Sequence, residues 1–296
     1  MTIYDAGGDG MANGPPWADD DTDIRILRRV GQLEDLPLAP YAVGPVLNVA
    51  IMDVETTGID PAHDEIIDIA YAVIQVDARG ELVGIVRVGE ALCDPCMPIP
   101  EQITRLTGLT DADVAGKAID LDLLEKALAP VDVFLAHRCA FDAAFLRHLL
   151  PFTADAAWCC SATDFDWLAE AGLDGRALGH LLMQIGHFND AHRAMADVVS
   201  LVHLMAHRLA DGGTVIGALL DSASQDTIRI EATGAPFDRR SILKGRGYRW
   251  DASAKAWWIE VAQDALEAER LWLRRMVTCW GPEPRTRAVT WRERHR

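Results

Sequence analysis

The sequence predicts an α/β protein, with a mixed five-stranded sheet flanked by helices and a small α+β module after it. Three observations carry this prediction. Leu47–Asp53, Ile66–Val76 and Glu81–Leu92 are successive strand-like runs, the last two joined by Asp77-Ala78-Arg79-Gly80, a hairpin turn. Beyond residue 100, helical periodicity alternates with short apolar strands at Val131–Ala136 and Ala156–Cys160. Strands in a row followed by alternation call for antiparallel and parallel neighbours in one sheet. Composition then changes: six of the nine tryptophans lie beyond residue 249.

In chain order, residues 1–22, rich in Gly, Asp and Pro, read as a disordered tail. Residues 23–45 are a connector in which Ile24–Val30 has the pattern of a short basic helix. The main domain spans 46–211. Its helices are expected at Glu101–Thr107, Leu121–Leu128, Phe141–Leu150 (stopped by Pro151), Asp164–Ala171, Arg176–Ile185 and His192–Leu209. Gly212-Gly213 opens a linker, 212–225, with room for one connecting helix. Residues 226–280 form the Trp-rich basic α+β module: a strand, a helix near Arg240–Lys244, a hairpin around Trp250–Trp257 and a helix at Gln263–Val277. Residues 281–296 read as a flexible, Arg-rich tail.

The chain has 296 residues, half of them hydrophobic, enough for one substantial core and a second small one. No run reaches the ~18 apolar residues of a membrane span, and no basic-then-apolar start suggests secretion. A cytoplasmic protein that does not engage membranes is expected. Six cysteines in irregular spacing exclude a disulfide scaffold, and the single Cys93-x-x-Cys96 lacks the second pair of a zinc site, so reduced, unligated thiols are expected. The net charge of −17 is unevenly placed. Residues 221–296 hold 15 Lys+Arg against 11 Asp+Glu, net +4, and the preceding residues net −21. An acidic body with a basic appendage suits a polyanion if metals neutralise the site; it also suits an ordinary acidic protein.

The candidate site begins at Asp53-Val54-Glu55-Thr56-Thr57-Gly58. Side chains at i and i+2 of a strand share a face, so Asp53 and Glu55 project together and repel unless a cation lies between them. Asp142 opens the helix that follows a strand, at the end of an α/β sheet where sites gather. His192 on a loop and Asp197 in the next helix can face the same cleft. Four carboxylates and an imidazole suit two Mg²⁺ or Mn²⁺ ions, which select hard oxygen ligands. Such a pair clamps the attacking and leaving oxygens of a phosphodiester, and the imidazole can deprotonate water.

At these residues the chain resembles the DEDDh 3′–5′ exonucleases, a group that includes the proofreading epsilon subunit of bacterial DNA polymerase III. The matching segments are Asp53-Val-Glu-Thr-Thr-Gly58, His137-Arg-Cys-Ala-Phe-Asp142 and His192-Arg-Ala-Met-Ala-Asp197, with Pro98-Ile-Pro100 and Leu106-Thr-Gly-Leu-Thr110 between the first two. The resemblance runs from about Val46 to Leu209. It implies a ribonuclease H-like sheet, with Asp53, Glu55, Asp142 and Asp197 as metal ligands and His192 as general base. It further implies that Thr56, Thr57, Gly58, His137, Arg138 and Phe141 position the terminal nucleotide. The product would be a nucleoside 5′-monophosphate, cut from the 3′ end of DNA in proofreading or repair. The alternatives are an RNA-directed 3′–5′ exoribonuclease of the same branch and a weakly catalytic nucleic-acid-binding recruitment module; single strands and a polymerase or repair complex are compatible partners. One departure stands out: His137-Arg138 replaces the family's His-Asn. Either Arg138 turns toward a substrate phosphate, or the local network is altered. In the 226–280 module, tryptophans interleaved with Arg and Lys either contact a strand or form the module's core.

Overall fold

A computed structural model describes residues 25–279 and 281–296; the expected tail at 1–22 lies outside the described residues. Strands are β1 (Arg28–Arg29), β2 (Val46–Thr56), β3 (Ile66–Asp77), β4 (Leu82–Leu92), β5 (Val133–Ala136), β6 (Ala157–Cys160), β7 (His187–Phe188), β8 (Thr227–Glu231), β9 (Arg249–Asp251), β10 (Ala256–Ala262) and β11 (Arg285–Val289). Helices are α1 (Glu101–Thr107), α2 (Asp111–Val114), α3 (Leu121–Leu128), α4 (Cys139–Leu149), α5 (Trp167–Ala171), α6 (Leu178–Gln184), α7 (Ala194–Met205), α8 (Val215–Ser224), α9 (Arg240–Gly245) and α10 (Leu266–Leu273).

The main sheet has the order β4-β3-β2-β5-β6. β2 is antiparallel to β3 and parallel to β5, so the mixed sheet turns on this strand. Its residues Val49 to Met52 are fully buried because a helical layer covers each face. Val49 and Ile51 pack into the cluster that includes Val198, Leu201 and Met205 of α7 and Ile216 and Leu219 of α8. Ala50, Met52 and Val54 pack into the other cluster, with Leu124 and Leu128 of α3 and Ala143 and Leu146 of α4. This parity sets the site, because Asp53 and Glu55 continue the Val49–Ile51 series and so face the side of α7.

α8 crosses the β3–β4 turn at close range. Gly80 sits at φ +77°, and a Cβ there would come within 2.5 Å of the Gly217 Cα. Both steric facts require glycine at this turn. Arg208, beyond α7, grips Glu81 of the same turn with two bonds of 2.5 and 2.6 Å.

The second sheet, β11-β8-β10-β9, is antiparallel and covers a core of Ile228, Ile230, Leu243, Tyr248, Leu273 and Val277. Among the described residues, no helix is long and apolar enough to cross a membrane.

Two sequence expectations need correction. The segment before Val30 is extended rather than helical at Arg28–Arg29, which pairs in parallel with His187–Phe188. A long-range strand partner overrode the local pattern there. The 281–296 segment, expected to be a flexible tail, adds β11 along β8 and then docks on the main domain. Trp158 N donates to the Trp291 carbonyl (3.2 Å), Arg292 reaches the Asp155 carbonyl (2.6 Å), and His295 Nε2 meets Asp164 Oδ2 at 2.7 Å, both side chains being buried. Arg294 reaches the carbonyls of Ala223 (2.8 Å) and Gln225 (2.6 Å). Composition reads these arginines as solvated, whereas here they satisfy backbone acceptors at helix and strand ends.

His295→Ala leaves the buried Asp164 carboxylate with one fewer partner. The expected loss is about 1–3 kcal/mol, read as a lower urea midpoint. An unchanged midpoint would show that the docked terminus adds nothing to stability.

Candidate active site

The acidic residues meet at the carboxyl end of β2. Glu55 pairs in register with Asp68 of β3, and Asp53 with Ala70. α4 begins directly after the turn that follows β5, which brings Asp142 in its first turn over β2; there its Oδ1 accepts the Val54 N–H at 3.2 Å. Asp197 lies in the first turn of α7, which packs across β2 and β3. Its Oδ2 accepts the His192 N–H (2.8 Å) and its Oδ1 the Asn189 amide (2.9 Å).

His192 is exposed and has φ +69°, a left-handed conformation unusual for a residue with a β-carbon. Such backbone costs about 1–3 kcal/mol and persists where surrounding bonds over-determine it. The bond to Asp197 does so here. On the other side of the loop, Arg29 of β1 pairs with Asp190 and stacks 5.0 Å over the Phe188 ring. Ligand atoms of Glu55, His192 and Asp197 all lie within 4.8 Å of one another. Asp53 and Asp142 stand outside that triplet but line the same cleft of about 1380 Å³.

Burial, then the charges of Asp142, Asp197, Glu55 and Asp68, hold the Asp53 carboxyl well above the usual carboxylate range. Glu55 is pushed up to about 7 by burial and then by Asp197, Asp68 and Asp142, with Arg193 opposing. Burial likewise raises Asp142 to about 7, against the Val54 N–H and the Arg138 charge. Asp197 is raised by burial, against the His192 N–H. Neither the Asp53 nor the Glu55 carboxylate accepts a hydrogen bond from the described residues. Hard oxygen donors that repel one another and lack protein partners fit divalent cations, which supply the missing counter-charge.

The other expected residues divide. Thr56, Gly58, His137, Arg138 and Phe141 line the cleft. Gly58 is pressed against Asp64, whose carboxylate would lie 2.4–2.5 Å from an added Cβ. Arg138 is exposed, with no ion-pair partner among the described residues. Thr57 does not line the cleft: it is buried, donates to Asp64 Oδ1 (3.2 Å) and accepts from the Glu65 N–H (3.0 Å), closing the loop behind β2. His137 has both ring nitrogens engaged, Nδ1 with Ser161 Oγ and Nε2 with the Arg176 carbonyl, each at 2.7 Å. Burial lowers its pKa, which favours the neutral ring in this pair of bonds.

Sequence reasoning missed Asp68, whose carboxylate is buried and bonded to Arg193 Nε at 3.0 Å. The signal was one acid inside the apolar run Ile66-Ile-Asp-Ile69. It also missed Ile103 and Leu106 of α1, which give the cleft an apolar rim.

The sheet order, the doubly covered β2 and the acidic cleft define a nuclease-type α/β domain. The RNase_T exonuclease family model matches residues 50–205, and the chain belongs to this exonuclease family. It is 33% identical over 99 residues to the PolC-type DNA polymerase III of Caldanaerobacter subterraneus, and 30% over 123 residues to that of Lacticaseibacillus paracasei. Those stretches cover 33% and 41% of this chain but only 7% and 8% of the relatives' length. Among solved structures, Exonuclease X in complex with 5′-overhanging duplex DNA matches 57% of this chain and 99% of its own, at 22% identity and a TM-score of 0.39. Exonuclease I matches 83% of this chain and 63% of its own, at 15% identity and a TM-score of 0.48.

The raised carboxyl pKa values fix a sign. Between about pH 4 and 7 the folded protein binds more protons at Glu55 and Asp142 than the unfolded chain does. These groups therefore lower the stability of metal-free protein as pH rises through that window. The melting temperature of Asp142→Asn should fall less between about pH 5 and pH 8 than that of the parent. Mn²⁺ at a fixed concentration of about 100 times its pH 8 Kd should raise the parent's melting temperature by roughly 5–10 °C near pH 8, and by much less near pH 5. A metal effect of equal size at both pH values would contradict a carboxylate site.

Proposed function

We propose that this protein is a metal-dependent 3′–5′ exonuclease that removes nucleoside 5′-monophosphates from DNA ends. The single observation that carries the reading is the convergence of Asp53, Glu55, Asp142, His192 and Asp197 on one cleft within a chain of the exonuclease family. The relatives' identity as DNA polymerase III supports DNA as the polymer and a replicative or repair complex as the setting.

Asp53, Glu55, Asp142 and Asp197 would hold two Mg²⁺ or Mn²⁺ ions. When bound, these ions neutralise the carboxylates and stabilise charge on the attacking and leaving oxygens. His192, exposed at the cleft mouth, takes the proton of the attacking water. The water oxygen bonds to phosphorus as the bond from phosphorus to the 3′ oxygen of the preceding nucleotide breaks, and that oxygen gains a proton. Phe141, Thr56 and Gly58 border the space for the terminal nucleotide, and Arg138 offers a charge to a phosphate. The Asp197 bond to the His192 N–H ties the base to a metal-holding carboxylate, so the two move together.

With Mn²⁺ and 5′-labelled oligonucleotides, the parent should shorten DNA from its 3′ end. Asp53→Ala should lose on the order of 10³-fold or more in kcat, and His192→Ala about 10²–10⁴-fold. Full activity in Asp53→Ala would sink the assignment. Faster turnover of matched RNA would move the substrate to that polymer, and binding without hydrolysis would favour the recruitment class.

A further inference from the structure

We infer that the outer face of the β11-β8-β10-β9 sheet is the second wall of the substrate channel. It would hold the phosphodiester backbone of the strand whose 3′ end enters the carboxylate site, an inference that rests on the exonuclease reading above. Strand parity sorts the residues. Ile228 and Ile230 of β8 turn into the module's core, so Arg229 and Glu231 point outward. Register carries that face across the sheet: Trp258 stands opposite Glu231, Arg249 opposite Trp258, and Arg287 opposite Arg229. Arg229, Arg249, Trp258 and Arg287 line the same cleft as Asp53 and His192. The adjacent tryptophans therefore separate, Trp257 packing on the module's core and Trp258 facing the cleft.

The charges on this face are not all spent. Arg229 is paired with Asp251 (2.7 Å) and Glu231 (3.3 Å) and stacks 4.3 Å over the Trp258 ring. Arg249 lies 5.3 Å from the same ring, exposed and with no carboxylate partner among the described residues. Arg287 is likewise exposed and unpaired among them. Trp258 is thus a platform that holds guanidinium groups in place, and the unpaired ones are left for a ligand.

A chain with a net charge of −17 repels a polyanion over most of its surface. Two unpaired arginines in the wall of the acidic cleft supply a local exception. The cleft volume of about 1380 Å³ exceeds the roughly 300–1,000 Å³ of a small-ligand pocket, as a channel for a polymer should. The recognised chemistry is the phosphate backbone, common to DNA and RNA.

The test uses the full chain carrying Arg249→Gln and Arg287→Gln together, with oligo(dT) and oligo(rU) of about 12 nucleotides and the matching dinucleotides. The kcat/KM for the long strand should fall about tenfold or more, through KM, with a smaller loss on the dinucleotide. The slope of log Kd against log salt, read by fluorescence anisotropy of labelled strands, should shrink by about 0.7 for each arginine. The polymer with the larger length-dependent loss is the one the wall serves. Equal losses for long and short substrates, or an unchanged salt slope, would overturn the inference. Should the double variant melt early, Arg287→Glu alone must show the same length dependence, and its absence would also overturn it. A parent that binds strands with an arginine-dependent slope yet hydrolyses none would refute the exonuclease reading and support the wall.

Discussion

Carboxylates forced together at the end of β2 set the terms for the rest of the molecule. Asp53, Glu55, Asp68, Asp142 and Asp197 repel one another and are partly or wholly withdrawn from water, and left alone they would spread apart. Four devices hold them. Asp53 and Glu55 extend a strand whose preceding four residues are sealed between two helical layers. Asp142 is tied to the backbone of that strand, Asp197 to His192 and Asn189, and Asp68 to Arg193. The charge of the site is thus fixed to a strand with a fully buried centre and to its hydrogen-bonded neighbours, as preorganised electrostatics requires.

His192 obeys a different logic. It is exposed, on strained backbone, and held by Asp197 of α7, in a loop whose Asp190 pairs with Arg29 of β1. The proton acceptor proposed here would have to meet a water and release its proton to solvent, which a position at the mouth allows better than a place in the core. In the proposed reaction the fixed carboxylates would hold the metals and the exposed imidazole would take the proton.

Much of this was legible in the sequence because it follows from local rules. Period-two alternation placed Asp53 and Glu55 together, and β3, α1 and α3 follow directly from apolar patterning. Long-range pairing was not legible. Arg28–Arg29 reads as a basic helix until His187–Phe188 is beside it, and Arg285–Val289 reads as solvated tail until β8 is. Thr57 and His137 sit within the right motifs but turn to Asp64, Ser161 and Arg176, contacts that spacing does not encode. Asp68 was hidden because its partner, Arg193, lies 125 residues away. Trp257 packs on the module's core and Trp258 faces the cleft, and only the register of β10 could assign each ring to its face.

The docked terminus has a mechanical consequence. A body joined to another by one covalent link can rotate about any axis through it, and a flexible linker leaves it nearly free. The Trp-rich module is joined twice, through α8 on entry and through Trp291, Arg294 and His295 on return. The two attachments meet at one place, since Ser222 of α8 donates to the Asp164 carbonyl (2.7 Å) and His295 bonds the carboxylate of the same residue (2.7 Å). The returning terminus therefore clamps the end of α8 onto the main domain, so the linker is not a free joint between the two bodies.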